Sequence, residues 1–204
     1  YNTVVGDEAG TAITTGDFNT ALGFEALAAT TDRNSNTALG AQTLKTNVNG
    51  AKNTAVGSGA LLTMNPATDS DTFNVAVGFD AGNDITTGSL NTLIGGLAGD
   101  AITSGNSNVA VGYETLSADT LGDRNVAIGL QALKTQNFTT STDSYNTAVG
   151  YAAGLAVTTG ERNILIGGLA GTAFTTGIRN VAIGHQALLS DTKGQRSIAI
   201  GHNA

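Results

Sequence analysis

The sequence has no cysteine or tryptophan, a single proline and few charged or aromatic residues. Without cysteine, a disulfide framework, a thiolate metal site and a cysteine nucleophile are all excluded. Charged residues make up 12% of the 204 residues and the net charge is −7, which argues against sequence-independent nucleic-acid binding, since that binding needs a basic surface. Neither a signal peptide nor an apolar run long enough to cross a bilayer is found, so we expect no direct membrane insertion of this segment.

What the chain does contain is a repeat. A five-residue motif of the type Asn-Thr-Ala-Val-Gly, as at 146–150, occurs twelve times and spans the chain. It starts at Asn2, Asn19, Asn36, Asn53, Asn74, Asn91, Asn108, Asn125, Asn146, Asn163, Asn180 and Ser197. Successive starts are 17 residues apart, except that every fourth interval is 21, which gives a longer period of 72. We therefore expect one repeat domain over 1–204, with superrepeats 2–73, 74–145 and 146–204, as a segment of a longer fibrous chain.

Each repeat is numbered here from its asparagine as position zero, and the repeats are called coils 1 to 12. Position one is Thr, Val or Ile, position two is mostly Ala, position three is Val, Leu or Ile, and position four is always Gly. Short β-branched runs bounded by Asn and Gly are typical of β-strands. The sequence thus predicts an all-β fold, a parallel β-roll or β-solenoid of about twelve coils.

The predicted strand is apolar on both of its faces. Positions one and three point to one side and position two to the other, and the roll interior has room for only one of these faces. The economical cover for the other face is a second copy of the same strands. We therefore predict that the position-three residues form the core of the roll or of a trimer. They are Val5, Leu22, Leu39, Val56, Val77, Ile94, Val111, Ile128, Val149, Ile166, Ile183 and Ile200.

Positions seven, eight and eleven predict the rest of the interior. Position seven is almost always Ala, which suggests a small inward residue. Position eight is either Gly, as at Gly82, or Leu, as at Leu27. Coils with Gly carry an apolar residue at position eleven, such as Ile85, whereas coils with Leu mostly carry a polar one, such as Thr30. One large apolar side chain per coil is expected from either position, as a core of fixed volume requires.

The invariant glycines and the asparagines are predicted to build turns. The position-four glycines, such as Gly6, Gly78 and Gly150, are predicted to have a positive φ or to lie close to the neighbouring backbone. The position-zero asparagines, such as Asn2, Asn74 and Asn146, are predicted to form a ladder of side-chain amides at one corner. Asparagine also tolerates left-handed backbone.

The motif Asn-Val-Ala-Ile-Gly-His-Gln-Ala at 180–187 resembles the head repeats of YadA-like trimeric autotransporter adhesins, and also similar repeats of phage tail fibres. The resemblance covers essentially the whole chain, although the coils are a few residues longer here and the 21-residue coil is a departure. It implies a left-handed roll and a side-by-side homotrimer. It also implies an extracellular location on a bacterial cell surface or virion, and binding to a host-surface protein or glycan. That family offers no catalytic residues or cofactors to transfer, so we expect no enzyme, cofactor or metal.

The four extra residues of each 21-residue coil fall in 65–73 and 137–145. Insertions in solenoids form loops on one side, and such loops often carry binding residues. They are either receptor-contact loops or tolerated decoration, and Asp69-Ser70-Asp71 also has oxygen ligands for Ca²⁺. The residues proposed for receptor contact are Asp69, Asp71, Phe73, Phe138, Asp143 and Tyr145.

Three further patterns have both a functional and a plain surface interpretation. His185 and His202 share a position on adjacent coils and could share a metal. Arg162, Arg179 and Arg196 form a basic stripe for an anionic glycan or phosphate, or simply a solvated face. Threonine recurs at position twelve, which raises the alternative of a monomeric ice-binding β-solenoid, although adjacent threonines such as Thr14 and Thr15 would point in opposite directions.

Overall fold

A computed structural model describes all residues from 1 to 204, and the chain is an all-β parallel solenoid with no helix. Every motif forms a three-residue strand at positions one to three, and the first two superrepeats each add two strands of two residues. The strands are β1 (Thr3–Val5), β2 (Thr20–Leu22), β3 (Thr37–Leu39), β4 (Gly50–Ala51), β5 (Thr54–Val56), β6 (Ser70–Asp71), β7 (Val75–Val77), β8 (Thr92–Ile94), β9 (Val109–Val111), β10 (Gly122–Asp123), β11 (Val126–Ile128), β12 (Thr142–Asp143), β13 (Thr147–Val149), β14 (Ile164–Ile166), β15 (Val181–Ile183) and β16 (Ile198–Ile200).

The twelve motif strands form one continuous parallel sheet, and each strand pairs with that of the next coil. The register is constant, so Thr3 pairs with Thr20 across a 17-residue coil and Thr54 pairs with Val75 across a 21-residue coil. The four extra residues therefore leave the sheet undisturbed. The predicted strands and the twelve-coil solenoid are confirmed.

The interior takes the small face of each strand. Position two is fully buried in coils 2 to 11, as at Ala21, Ala148 and Leu165. The position-three side chains point outward, and Leu22 is 44% exposed. The prediction that position three forms the core of the roll was therefore wrong for all twelve residues named above, and only its trimer alternative stays a prediction. Alanine suits the interior because the opposite wall supplies the bulky side chains.

That opposite wall is made of turns rather than strands, and it runs through left-handed backbone at positions six and eight. Position eight has a φ near +60° whether it is glycine, as Gly82, or leucine, as Leu133 at +50°. Leucine pays a conformational cost there, but its side chain is completely buried. In coils with glycine, the side chain from position eleven, such as Ile85 or Phe174, fills the same interior space. The predicted exchange between positions eight and eleven is confirmed.

The asparagine ladder holds one corner of the solenoid together. The Nδ2 of Asn74 donates to the carbonyl of Gly88 at 2.8 Å, and its Oδ1 accepts from the backbone N–H of Asn91 at 3.0 Å. Asn2 and Asn146 make the same pair of bonds in their coils. The ladder is confirmed, but its link to left-handed backbone was misplaced, since the residue before the asparagine has the positive φ. Asparagine is selected here because one amide serves as both donor and acceptor in a buried corner.

The position-four glycines need both of the features predicted for them. Gly6, Gly78 and Gly150 have φ of 136°, 143° and 137°. A Cβ on Gly150 would lie 2.6 Å from the carbonyl of Gly167 in the next coil. No other residue type fits this stack without a shift of the backbone.

Candidate functional site

The outward surface of the twelve-stranded sheet is the largest unpartnered apolar feature of the chain. We call it the outer face, and it comprises positions one and three, flanked by position five and by the residue before each asparagine. All exposed large hydrophobic side chains of the protein except Val4 and Leu189 lie on it. Eight of the ten aromatic residues are also there, and the two exceptions, Phe138 and Phe174, are buried. Monomeric soluble proteins rarely leave such a continuous apolar surface in water.

Two edges border the outer face, and each is a ladder of side chains along the solenoid axis. On the position-five edge, the rings of His185 and His202 stack with centroids 5.2 Å apart, and a Cβ on Gly96 would touch the ring of Tyr113. On the pre-asparagine edge, Tyr1 stacks on Phe18 at 5.7 Å. The residues of this second edge have left-handed backbone, which turns the side chain outward just before the buried asparagine.

The insertions do not form free loops. Each adds a short strand to the preceding coil, so that β6 pairs with β4 and β12 pairs with β10. Lys52 holds the first insertion by a 2.6 Å ion pair with Asp71 and by lying 5.1 Å from the centroid of the Phe73 ring. In the second insertion, Arg124 pairs with Asp143 and lies over Tyr145, 5.7 Å from its ring centroid. The two clamps use equivalent residues one superrepeat apart.

The residues proposed for receptor contact fall into three groups: ion-paired aspartates, half-exposed aromatic residues and one buried phenylalanine. Asp69 is engaged by Arg33 at 3.0 Å, and both aspartates of the clamps are also paired. Phe73 and Tyr145 are half exposed, on the outer face rather than on a protruding loop. Phe138 is only 5% exposed, so its assignment to a contact loop was wrong. It is buried against the solenoid, at the position where the first insertion has Pro66. Nothing in the sequence of the two insertions marks this position as buried.

The most deeply buried acidic residue of the chain is Asp119, which is 1% exposed. Asp119 accepts hydrogen bonds from Gln136 Nε2 at 2.6 Å and from the backbone N–H of Gly122 at 3.0 Å, and burial raises the pKa of its carboxyl group. In the preceding superrepeat the equivalent residue is Asn47, which makes the same contact with the Gly50 N–H at 2.9 Å, and Met64 stands in place of Gln136. Asp119 is a polar position-eleven residue of a coil with leucine at position eight, as Thr30 is, and both are buried.

A second carboxyl group is partly buried near other acids. Burial raises the pKa of Asp100, and the neighbouring charges of Asp84, Asp80 and Glu114 act in the same direction. Its Oδ1 atom has no hydrogen-bond partner. The protein contains no group of three or more His, Asp or Glu side chains placed to hold a metal ion.

The threonines of position twelve are used within the solenoid. The hydroxyl groups of Thr14, Thr86 and Thr158 donate to the carbonyl of the same position in the next coil, at 3.1 to 3.2 Å. Hydroxyl protons committed to the backbone are not free to order water, so this geometry does not favour the ice-binding alternative.

The chain has one pocket, of about 520 Å³, at the end of the last two coils. Its only carboxylate, Asp191, accepts from the backbone N–H groups of Lys193 and Gly194 at 3.2 and 2.8 Å. No helix that could span a membrane is found. Comparisons with protein-family models, with curated proteins and with solved structures find no match.

Proposed function

We propose that this chain is a structural and surface-binding fibre segment. Its copies pack side by side as a left-handed, homotrimeric solenoid in an adhesin head or a phage tail fibre, an extracellular part of a bacterial cell surface or a virion. The observation that carries the proposal is the outer face, an apolar sheet surface that extends over all twelve coils. Three copies that turn this face toward a common axis bury it from water, at about 25 cal/mol for each Å² of apolar surface.

The two edges of the outer face support contacts between copies at the same level. In three of the twelve coils the two edges carry the same aromatic residue: Phe18 and Phe24, Phe73 and Phe79, and Tyr145 and Tyr151. The members of each pair are six residues apart, roughly 20 Å along an extended chain, and they do not contact each other within one copy. In a ring of parallel copies, the pre-asparagine edge of one copy meets the position-five edge of the next, and each matched pair becomes an aromatic contact.

The proposal has a direct test because the chain contains no cysteine. The double variant S35C/A41C places one thiol on each edge of coil 3. In a ring of copies in register, oxidation forms bridges that close a covalent trimer, visible on a non-reducing gel. A bridge inside one chain would not change the mass.

The matched control is S35C/G96C, which places the second thiol three coils away, about 14 Å along the axis. Bridges of this length are sterically impossible, so this variant is expected to stay monomeric on the same gel. Equal cross-linking of the two variants, or no covalent trimer from the matched pair, would rule out the proposed arrangement.

A further inference from the structure

Most cations of this acidic protein are paired with a neighbouring carboxylate, and those that are not lie close together. Ion pairs engage six of the nine lysine and arginine side chains, namely Arg33, Lys45, Lys52, Arg124, Lys134 and Arg162. The three without a partner are Arg179, Lys193 and Arg196. All three lie in coils 10 and 11, and all are exposed.

The charge of the chain is polarised along the solenoid axis. Residues 1–145 carry fourteen acids and five cations, a net charge of −9, whereas residues 146–204 carry two acids and four cations, a net charge of +2. Of those two acids, Asp191 is occupied by backbone N–H groups, and Glu161 is 3.2 Å from Arg162. The Arg162 pair is exposed and therefore weak, so Arg162 can exchange this carboxylate for another anion.

The arginines form a regular row. The backbone N–H of Arg179 donates to the backbone carbonyl of Glu161 in the preceding coil, and that of Arg196 donates to the backbone carbonyl of Ile178. The three pre-asparagine arginines therefore lie on successive coils, about 4.8 Å apart. Lys193 lies three residues before Arg196 and is exposed as well. Like charges at this spacing repel one another unless an anion lies between them.

Association of copies would not neutralise the row. On coils 10 to 12 the position-five edge, which the proposed trimer brings against these arginines, consists of Gly168, His185 and His202. None of these side chains is an acid. The row would thus keep its positive charge in the monomer and in the assembly.

We propose that coils 10 to 12 bind a sulfated glycan chain that runs along the solenoid axis. Arginine guanidinium groups bind sulfate through paired hydrogen bonds. The exposed side chains of Thr192 and Gln195 offer neutral hydrogen-bonding groups to sugar hydroxyls. The absence of an aromatic residue among the arginines disfavours single-stranded nucleic acid, which binds largely by base stacking.

This inference adds a ligand class to the proposed surface-binding function and rests on the single chain, which carries all the cations, although the proposed trimer brings the same edge against the next copy. The test is binding of a heparin dodecasaccharide, measured by calorimetry in low and in physiological salt. The triple variant R179Q/K193Q/R196Q is expected to lose at least about tenfold in affinity, and wild-type binding should weaken with salt. The control is R124Q, an arginine of the same edge that is already paired with Asp143, and it should stay within about twofold of wild type.

Three comparison ligands make the result decisive. Unsulfated heparosan of the same length should bind at least about tenfold more weakly than heparin, and inorganic polyphosphate and a dT20 oligonucleotide should also bind more weakly. Absence of heparin binding in low salt, equal loss in R124Q, or tighter binding of polyphosphate or dT20 would overturn the proposal. Because light scattering on the same samples reports the assembly separately, failure of glycan binding and failure of the trimer are distinguishable.

Discussion

Leu93 occupies the space that a side chain on Gly99 would need. A Cβ at Gly99 would lie 2.9 Å from Leu93 Cδ2, and a Cβ at Gly82 in the preceding coil would lie 2.8 Å from Leu93 Cδ1. Leu165 has the same relationship with Gly154 and Gly171, at 2.7 Å from each. In these two coils alone, position two is leucine and position eight is glycine both in the same coil and in the coil before. The interior thus has a fixed volume that extends over neighbouring coils.

This relationship predicts that G99L is destabilising by roughly 1–3 kcal/mol, because the new side chain overpacks against Leu93 and Ile102 and leucine takes on left-handed backbone. L93A alone should cost about 2–5 kcal/mol by leaving a cavity. The triple variant G99L/L93A/I102T recreates the composition of coil 2, with Ala21, Leu27 and Thr30, and should recover much of the loss. Chemical denaturation of the wild type, of the single variants G99L, L93A and I102T and of the triple variant measures the coupling, and strictly additive losses would contradict the shared volume.

Two adjacent glycines should differ sharply in their tolerance of alanine. Gly167 has a φ of +130° and its Cβ would lie 2.5 Å from the Gly184 carbonyl oxygen, so G167A should cost at least about 1–3 kcal/mol. A Cβ on Gly168 would touch only the His185 ring, at 3.5 Å, so G168A should change the midpoint of thermal unfolding little. Similar midpoints for the two variants would refute the close stacking of the glycine column.

Asp119 predicts a specific dependence of stability on pH. Its pKa in the folded protein lies above the ordinary value of 3.8 because the carboxyl group is buried. The contribution of this group is therefore largest below that ordinary value and is lost as the pH rises through the folded pKa, since only the unfolded chain ionises freely.

The variant D119N/Q136M, which copies the Asn47 and Met64 pair of the preceding superrepeat, should lack this loss and be more stable than wild type at neutral pH. N47D should introduce the same loss of stability with rising pH in that superrepeat. Urea unfolding of wild type and the two variants between pH 4 and 8 measures this. Free energies of unfolding that change with pH in the same way in all three proteins would show that Asp119 does not cause the pH dependence.

Substitutions at two neighbouring residues of β13 should distinguish loss of folding from loss of association. Ala148 is completely buried, so A148D should abolish folding by placing a charge in the core. Val149 points outward, so V149D should leave a folded solenoid with an unchanged circular dichroism spectrum that no longer associates. A V149D protein that unfolds like A148D would show that position three contributes to the core after all.

The repeat length, the strands and the glycine turns were predictable because each repeats a local chemical requirement twelve times. Which face of the strand lies inside was not predicted correctly, because Ala148 and Val149 are both apolar and periodicity alone does not rank them. The informative signal was size: position two enlarges to leucine only at Leu93 and Leu165, beside pairs of glycines, as only an enclosed position would. Phe138 and Asp119 could not be placed from the repeat, because their equivalents, Pro66 and Asn47, differ in chemistry.

If copies of the same chain cover the outer face, the molar mass of the unmodified segment shows it. Light scattering at micromolar concentration should give three times the mass of one chain, and V149D should give the mass of a single chain. A folded, soluble monomer of the wild-type segment at that concentration would contradict this arrangement.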